Sequence, residues 1–196
     1  MNDTTSLGNR GPGRPTVAAT RRQQIVSAFL ALVGEKGLAT VSLDDIASAS
    51  GVQRSVMRHY VGNRAQLVRA AAADLVARYT ELIRTAVGEE PSAQEAIRYL
   101  FSRQWVAANE VEGRAFDELF HEAMRDPDLR LQLRDAYGLL VDELAAAIRR
   151  TRPAAPADEI AYQIVCLAEH SSTMQQLGFA PEQAAAAEAL ALRLIG

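Results

Sequence analysis

An all-α fold follows from three features of the chain. Ala, Leu, Glu and Arg fill its long stretches, and most of these side chains lose little freedom in a helix. Apolar residues recur at helical spacing, with no strand alternation and no long internal repeat. The seven prolines fall mostly at the boundaries between these stretches. At 196 residues, 48% apolar and 23% charged, the chain suits one medium domain, or a small domain fused to a larger one, with a buried core.

Residues 1–15 hold Gly8, Gly11, Pro12, Gly13 and Pro15 with Arg10 and Arg14, too little apolar surface to fold alone, and are expected to form a flexible basic arm. From Val17 the helical period begins. Ile25, Phe29, Leu32 and Val33 share a face, and Gly37 is placed to end the helix. Ser42 can cap the next helix, with Asp44 and Asp45 at its positive end, and Gly51 stops it after about two turns. A second short helix over 53–60 turns Val52, Met57 and Val61 inward. Asn63 caps a long helix that runs to Val87 and stops at Gly88. Ser92 and Glu95 form a capping box opening a helix through 109, with another over 113–125. Asp126-Pro127 reads as a cap followed by proline in the first turn of a helix to Arg150. Pro153 and Pro156 mark a connection, and helices over 158–177 and 181–195 complete the chain.

A two-turn helix is not stable in isolation. The short helices form because they bury Ile25, Phe29, Leu43, Ile46, Ala47, Val52 and Met57 together. Helix, glycine turn and second helix make a helix-turn-helix, whose second helix enters the DNA major groove. That geometry leaves Gln53, Arg54, Ser55, Arg58 and His59 facing outward. Charge agrees: residues 1–70 carry nine basic and four acidic residues (net +5), and the remainder twelve basic and twenty acidic (net −8). A polyanion is drawn to the first segment and repelled by the second.

The motif can be followed residue by residue. Thr40-Val41-Ser42-Leu43-Asp44-Asp45-Ile46-Ala47, followed by Gly51-Val52, resembles the first half of the TetR-family DNA-binding motif. Val56-Met57-Arg58-His59-Tyr60-Val61-Gly62-Asn63-Arg64-Ala65-Gln66-Leu67 resembles its second half. Gly13-Arg14-Pro15, Arg21-Arg22 and Glu35-Lys36-Gly37 are similar to the lead-in, so the match covers residues 13–69. The sequence departs from the pattern at Gln53, where the family has a small hydroxyl residue, at Arg58 and Val61, where it has aromatics, and at Arg64, where it has lysine. Val56 stands where threonine is common. These departures bear on which operator is read more than on DNA binding itself.

The resemblance implies a basic arm over 1–15, a helix-turn-helix DNA-binding domain over 16–69, and a larger helical ligand-binding and dimerisation domain over 70–196, joined through a long helix. It implies a cytoplasmic transcriptional regulator that works as a homodimer on a pseudo-palindromic double-stranded operator, by default a repressor released by a small-molecule inducer. Arg54 is the first choice for reading a base, since arginine pairs bidentately with guanine, and Gln53 and Arg58 follow. Ser55 and His59 share that exposed face. Ser42, Tyr60 and Arg64 are expected to position phosphates. Arg10 and Arg14 could enter a flanking minor groove. An inducer pocket is expected among Phe101, Trp105, Phe120, His121, Tyr137 and Met174. The last two helices, with Ile160, Ile164, Leu167, Met174 and an Ala-rich 183–194 stretch, are expected to pair across a twofold axis.

Other classes fit less well. Glu118-x-x-His121 has the spacing of a carboxylate-bridged di-iron motif but has no second copy. No catalytic residue, cofactor or metal site is expected, and no apolar run is long enough to span a membrane. The lone Cys166, amid Ile164, Val165 and Leu167, is expected to be buried and inert rather than a redox sensor. The alternative function is a helical small-molecule-binding protein without specific DNA recognition.

Overall fold

The computed structural model describes residues 17–196, the side chains of 108–112 excepted. The basic arm expected over 1–15, with Arg10 and Arg14, lies outside the described residues. Among those described, nine helices follow one another: α1 Val17–Lys36, α2 Leu43–Ser50, α3 Arg54–Val61, α4 Arg64–Val87, α5 Ala93–Leu100, α6 Arg103–Ala123, α7 Pro127–Thr151, α8 Ala157–Gln176 and α9 Pro181–Leu194. None of them is long and apolar enough to cross a membrane.

In α1, Ile25, Val26, Phe29, Leu30 and Val33 form one buried stripe. Ser42 and Asp45 cap α2 reciprocally: the Asp45 amide donates to the Ser42 hydroxyl, and the Ser42 amide donates to the Asp45 carboxylate. The Ser42 hydroxyl and amide, with Lys36, hold the Asp45 carboxyl down at about 2. Gly51 takes φ +66°, which a side chain would make costly, and so turns the chain from α2 into α3. Gly62, at φ +73°, is constrained twice, because a Cβ there would lie 2.1 Å from the Gln66 side chain that closes the capping box of α4.

Two hydrophobic clusters result. The first gathers α1–α3 and the first half of α4, and extends to Ala115, Leu119 and Ala123 of α6 and Leu129 and Leu133 of α7. The second joins α5, the latter part of α7, α8 and α9 around Ile97, Trp105, Ile148 and Ile164. Tyr79 on α4 packs against both.

Three expectations are corrected. The chain breaks at Phe101-Ser102, and α6 then runs uninterrupted through Gly113. The Ser102 hydroxyl accepts from the Trp105 amide at 3.2 Å and starts a new helix. The ~1 kcal/mol that glycine costs in a helix is outweighed by burial of the adjoining Ala115–Leu119–Ala123 stripe. Leu43 is 42% exposed, because as the first residue of α2 it lies at the edge of the core that Ile46 fills. Cys166 is exposed rather than buried, rotated about 100° from its buried neighbour Val165, and hydrogen-bonds to Tyr162 one turn earlier.

Candidate functional site

Helix α3 has two faces. Met57 and Val61 are buried in the first cluster, with Val52 just ahead of the helix. Gln53, Arg54, Ser55, Arg58 and His59 are exposed, and Val56, at 41% exposure, stands among them. This is a polar, cationic ridge on an apolar base, with a methyl-bearing side chain at hand for a thymine contact.

Individual residues are more committed than the sequence suggests. Arg54 pairs with Asp44 across the turn, Nη1 to Oδ2 at 2.7 Å, with both side chains largely exposed. Such a pair is weak and can exchange for another partner. The Ser42 hydroxyl donates to Asp45 at 2.6 Å, so its proton is spent within the cap. The Arg64 guanidinium does not project freely. It donates to the carbonyls of Leu38 and, at 3.0 Å, Val41, clasping the α1–α2 connection to the start of α4. Arg64 is therefore a structural clasp first. Tyr60 is half-buried against the first cluster, its ring 5.3 Å from that of His59.

A cavity of about 110 Å³ opens among α4, α6, α7 and α8. It is lined by Val76, Tyr79, Thr80, Ile83, Trp105, Phe116, Ala136, Tyr137, Leu139, Leu140, Glu143 and Glu169. A single water needs roughly 10–15 Å³, so there is space for a small organic molecule. Trp105 and Tyr137, both expected in a pocket, line it. Phe101 is buried in the second cluster and does not. Met174 is half-buried and also lies outside the lining. Phe120, 46% exposed, and His121 face outward, because Leu119 takes the inward position and each following residue is rotated about 100° further. The His121 ring meets the Asp117 carbonyl at 2.8 Å, and Glu118 accepts from the Leu38 amide at 2.7 Å, so the Glu-x-x-His spacing serves local structure.

Glu143 and Glu169 were not singled out from the sequence as lining. Val76, Tyr79, Thr80 and Ile83 do carry the i, i+3, i+4, i+7 signature of one helix face, which could have found the α4 wall. Burial raises the Glu169 carboxyl to about 7, with the Asp117 charge adding and the hydrogen bond from Tyr137 opposing. The same burial, with Glu169 nearby, pushes the Tyr137 hydroxyl above its ordinary range. The Trp105 indole N–H is buried without a partner among the described residues.

Residues 25–71 match the family described as bacterial regulatory proteins, tetR family. The chain is 26% identical to the HTH-type transcriptional regulator BetI of Rhizobium meliloti, over 87% of this chain and 85% of that protein. Among solved structures, a TetR-family regulator from Cytophaga hutchinsonii superposes with a TM-score of 0.79 at 18% identity, covering 93% of this chain and 96% of the other. A candidate regulator from Saccharomonospora viridis, solved in complex with choline, gives 0.71 at 18% identity, covering 89% and 94%. At these identities the solved structures establish the shared fold.

Proposed function

We propose that the chain is a DNA-binding transcriptional regulator of the TetR type, which represses by occupying a pseudo-palindromic operator as a homodimer and lets go when a small molecule fills the cavity. The match of residues 25–71 to the tetR-family model and the likeness to BetI support this reading. The observation that carries this reading is the continuity of α4, which begins beside the recognition helix and walls the cavity with Val76, Tyr79, Thr80 and Ile83. A ligand pressing on that wall acts on the helix from which the DNA-reading unit hangs. Arg54 reads a base after exchanging Asp44 for guanine. Gln53, Ser55 and His59 flank it, and Arg58 reaches the backbone.

A homodimer is supported by the exposed apolar side chains Tyr162, Leu177, Phe179 and Leu190 on and between α8 and α9, interleaved with exposed Ala185, Ala186 and Ala189. Small residues let helices approach closely, and one short recognition helix reads too few bases alone. The protein works without catalysis, in the cytoplasm where the chromosome is.

Selection of bound sequences from a random duplex pool tests the reading, with wild type and Arg54→Ala side by side. A pseudo-palindromic consensus is expected, relaxed in the variant at one symmetric pair of positions, with a loss of about 1–3 kcal/mol there. A uniform loss of affinity with unchanged preference would make Arg54 a phosphate contact. No enriched sequence from wild type would overturn specific DNA recognition.

A further inference from the structure

The geometry points to a small organic cation, an amine or a quaternary ammonium, as the ligand of the α4–α8 cavity. This inference rests on the reading of that cavity as the effector site and names the class of effector.

Four aromatic rings from three helices line the cavity. Tyr79 lies 5.4 Å from Trp105 and 6.2 Å from Phe116, and Phe116 lies 5.8 Å from Tyr137, centroid to centroid. Adjacent rings meet at 56°, 84° and 78°, so they do not stack and instead bound the space from several sides. Aromatic faces carry negative potential, and rings around a shared space suit a desolvated cation.

The charged groups point the same way. Glu169 and the more exposed Glu143 are the ionisable carboxylates in the lining, and no Lys, Arg or His lines it among the described residues. The Tyr137 hydroxyl donates to Glu169 at 3.5 Å, too long for a strong hydrogen bond. Asp117 adds further negative charge. A buried carboxylate without a cationic partner is costly, and the protein answers by keeping it partly protonated near neutral pH. A cation in the cavity supplies the missing partner. An anion would add to the repulsion. A neutral molecule would fill the space and leave Glu169 as it was.

Trp105 is the only tryptophan in the chain, so its fluorescence reports on this cavity alone. Full-length protein at pH 8 is titrated with phenyltrimethylammonium and, separately, with its uncharged isostere tert-butylbenzene. Saturable quenching by the cation is expected, with affinity at least about tenfold above the isostere, the equivalent of one desolvated cation–π contact with charge pairing. Glu169→Gln should weaken cation binding about tenfold and leave the isostere unaffected, which distinguishes lost charge from a damaged fold. Equal binding of cation and isostere, tighter binding of 4-tert-butylbenzoate, or no saturable response to the cation up to about 10 mM, thousands-fold weaker than a micromolar effector, would each overturn the inference. Operator release is measured in parallel. Cation binding without release would overturn the effector reading and leave the cation site standing. Release by tert-butylbenzene alone would do the reverse.

Discussion

The first cluster and the second are built for different ends. Among the fully buried residues of the first, Phe29 is the one aromatic, and the rest are aliphatic or Met57. The second buries Tyr99, Phe101 and Trp105, leaves the Tyr99 hydroxyl and the Trp105 indole N–H unpartnered among the described residues, and borders the cavity. An aliphatic interior of fully buried side chains holds short helices in one arrangement, which reading DNA requires. An aromatic interior with a hollow and a carboxylate that lacks a cationic partner gives up stability, which on the proposed function keeps a binding site open.

The largest expected effect tests that contrast directly. Phe29→Ala should cost about 3–5 kcal/mol in chemical denaturation, because the filled site cannot collapse around the void. Tyr137→Ala, in the second cluster and a half-buried wall of an existing hollow, should cost roughly 1–2 kcal/mol. Equal losses would erase the distinction between the clusters.

Next comes the pH dependence of the second cluster. The folded Glu169 carboxyl, at about 7, binds its proton more tightly than an unfolded glutamate at 4.5. Its contribution to stability is therefore full below about pH 4.5 and lost as pH rises through 7. Thermal melts between pH 5 and 8 should show this loss, amounting to as much as about 3 kcal/mol, and Glu169→Gln should flatten it. A variant as pH-sensitive as wild type would place the titrating group elsewhere.

The smallest effect concerns the surface of the DNA-reading unit. Asp44→Asn removes an exposed partner of Arg54 and should change stability by less than about 1 kcal/mol. It should also tighten DNA binding several-fold in gel-shift titrations, by freeing the guanidinium and removing a negative charge near phosphates. Weaker binding would mean that Asp44 holds Arg54 in its reading pose.

Local rules made the helix ends legible. Ser42, Gly51, Asn63, Gly88, the Ser92 box and Asp126-Pro127 each carry their meaning within a few residues, and the corresponding helix ends stand where those signals put them. The inward trio Val52, Met57 and Val61 is likewise a matter of helical period. What could not be read was set by packing between distant segments. The register that turns Leu119 inward and Phe120 and His121 outward depends on α1 lying against α6, which no local pattern of α6 announces. The break at Phe101-Ser102 hides behind a serine cap inside an otherwise helical stretch. The clasp of Arg64 on the carbonyls of Leu38 and Val41 spans more than twenty residues, and a phosphate-contacting arginine and a carbonyl-clasping one look alike in sequence.

Helix α4 contains neither glycine nor proline between Arg64 and Val87. It is therefore a stiff rod, and stiffness makes it a lever. Tyr79, at the cavity, stands about 22 Å along the axis from Arg64 at 1.5 Å per residue. A pivot of only ~5° about the cavity carries the far end roughly 2 Å sideways. In the proposed dimer the two ends swing apart together, and roughly 4 Å of added span spoils the fit to half-sites centred about 34 Å apart. A molecule that shifts the wall by a fraction of a bond length can thus be felt as a misfit several times larger on the DNA.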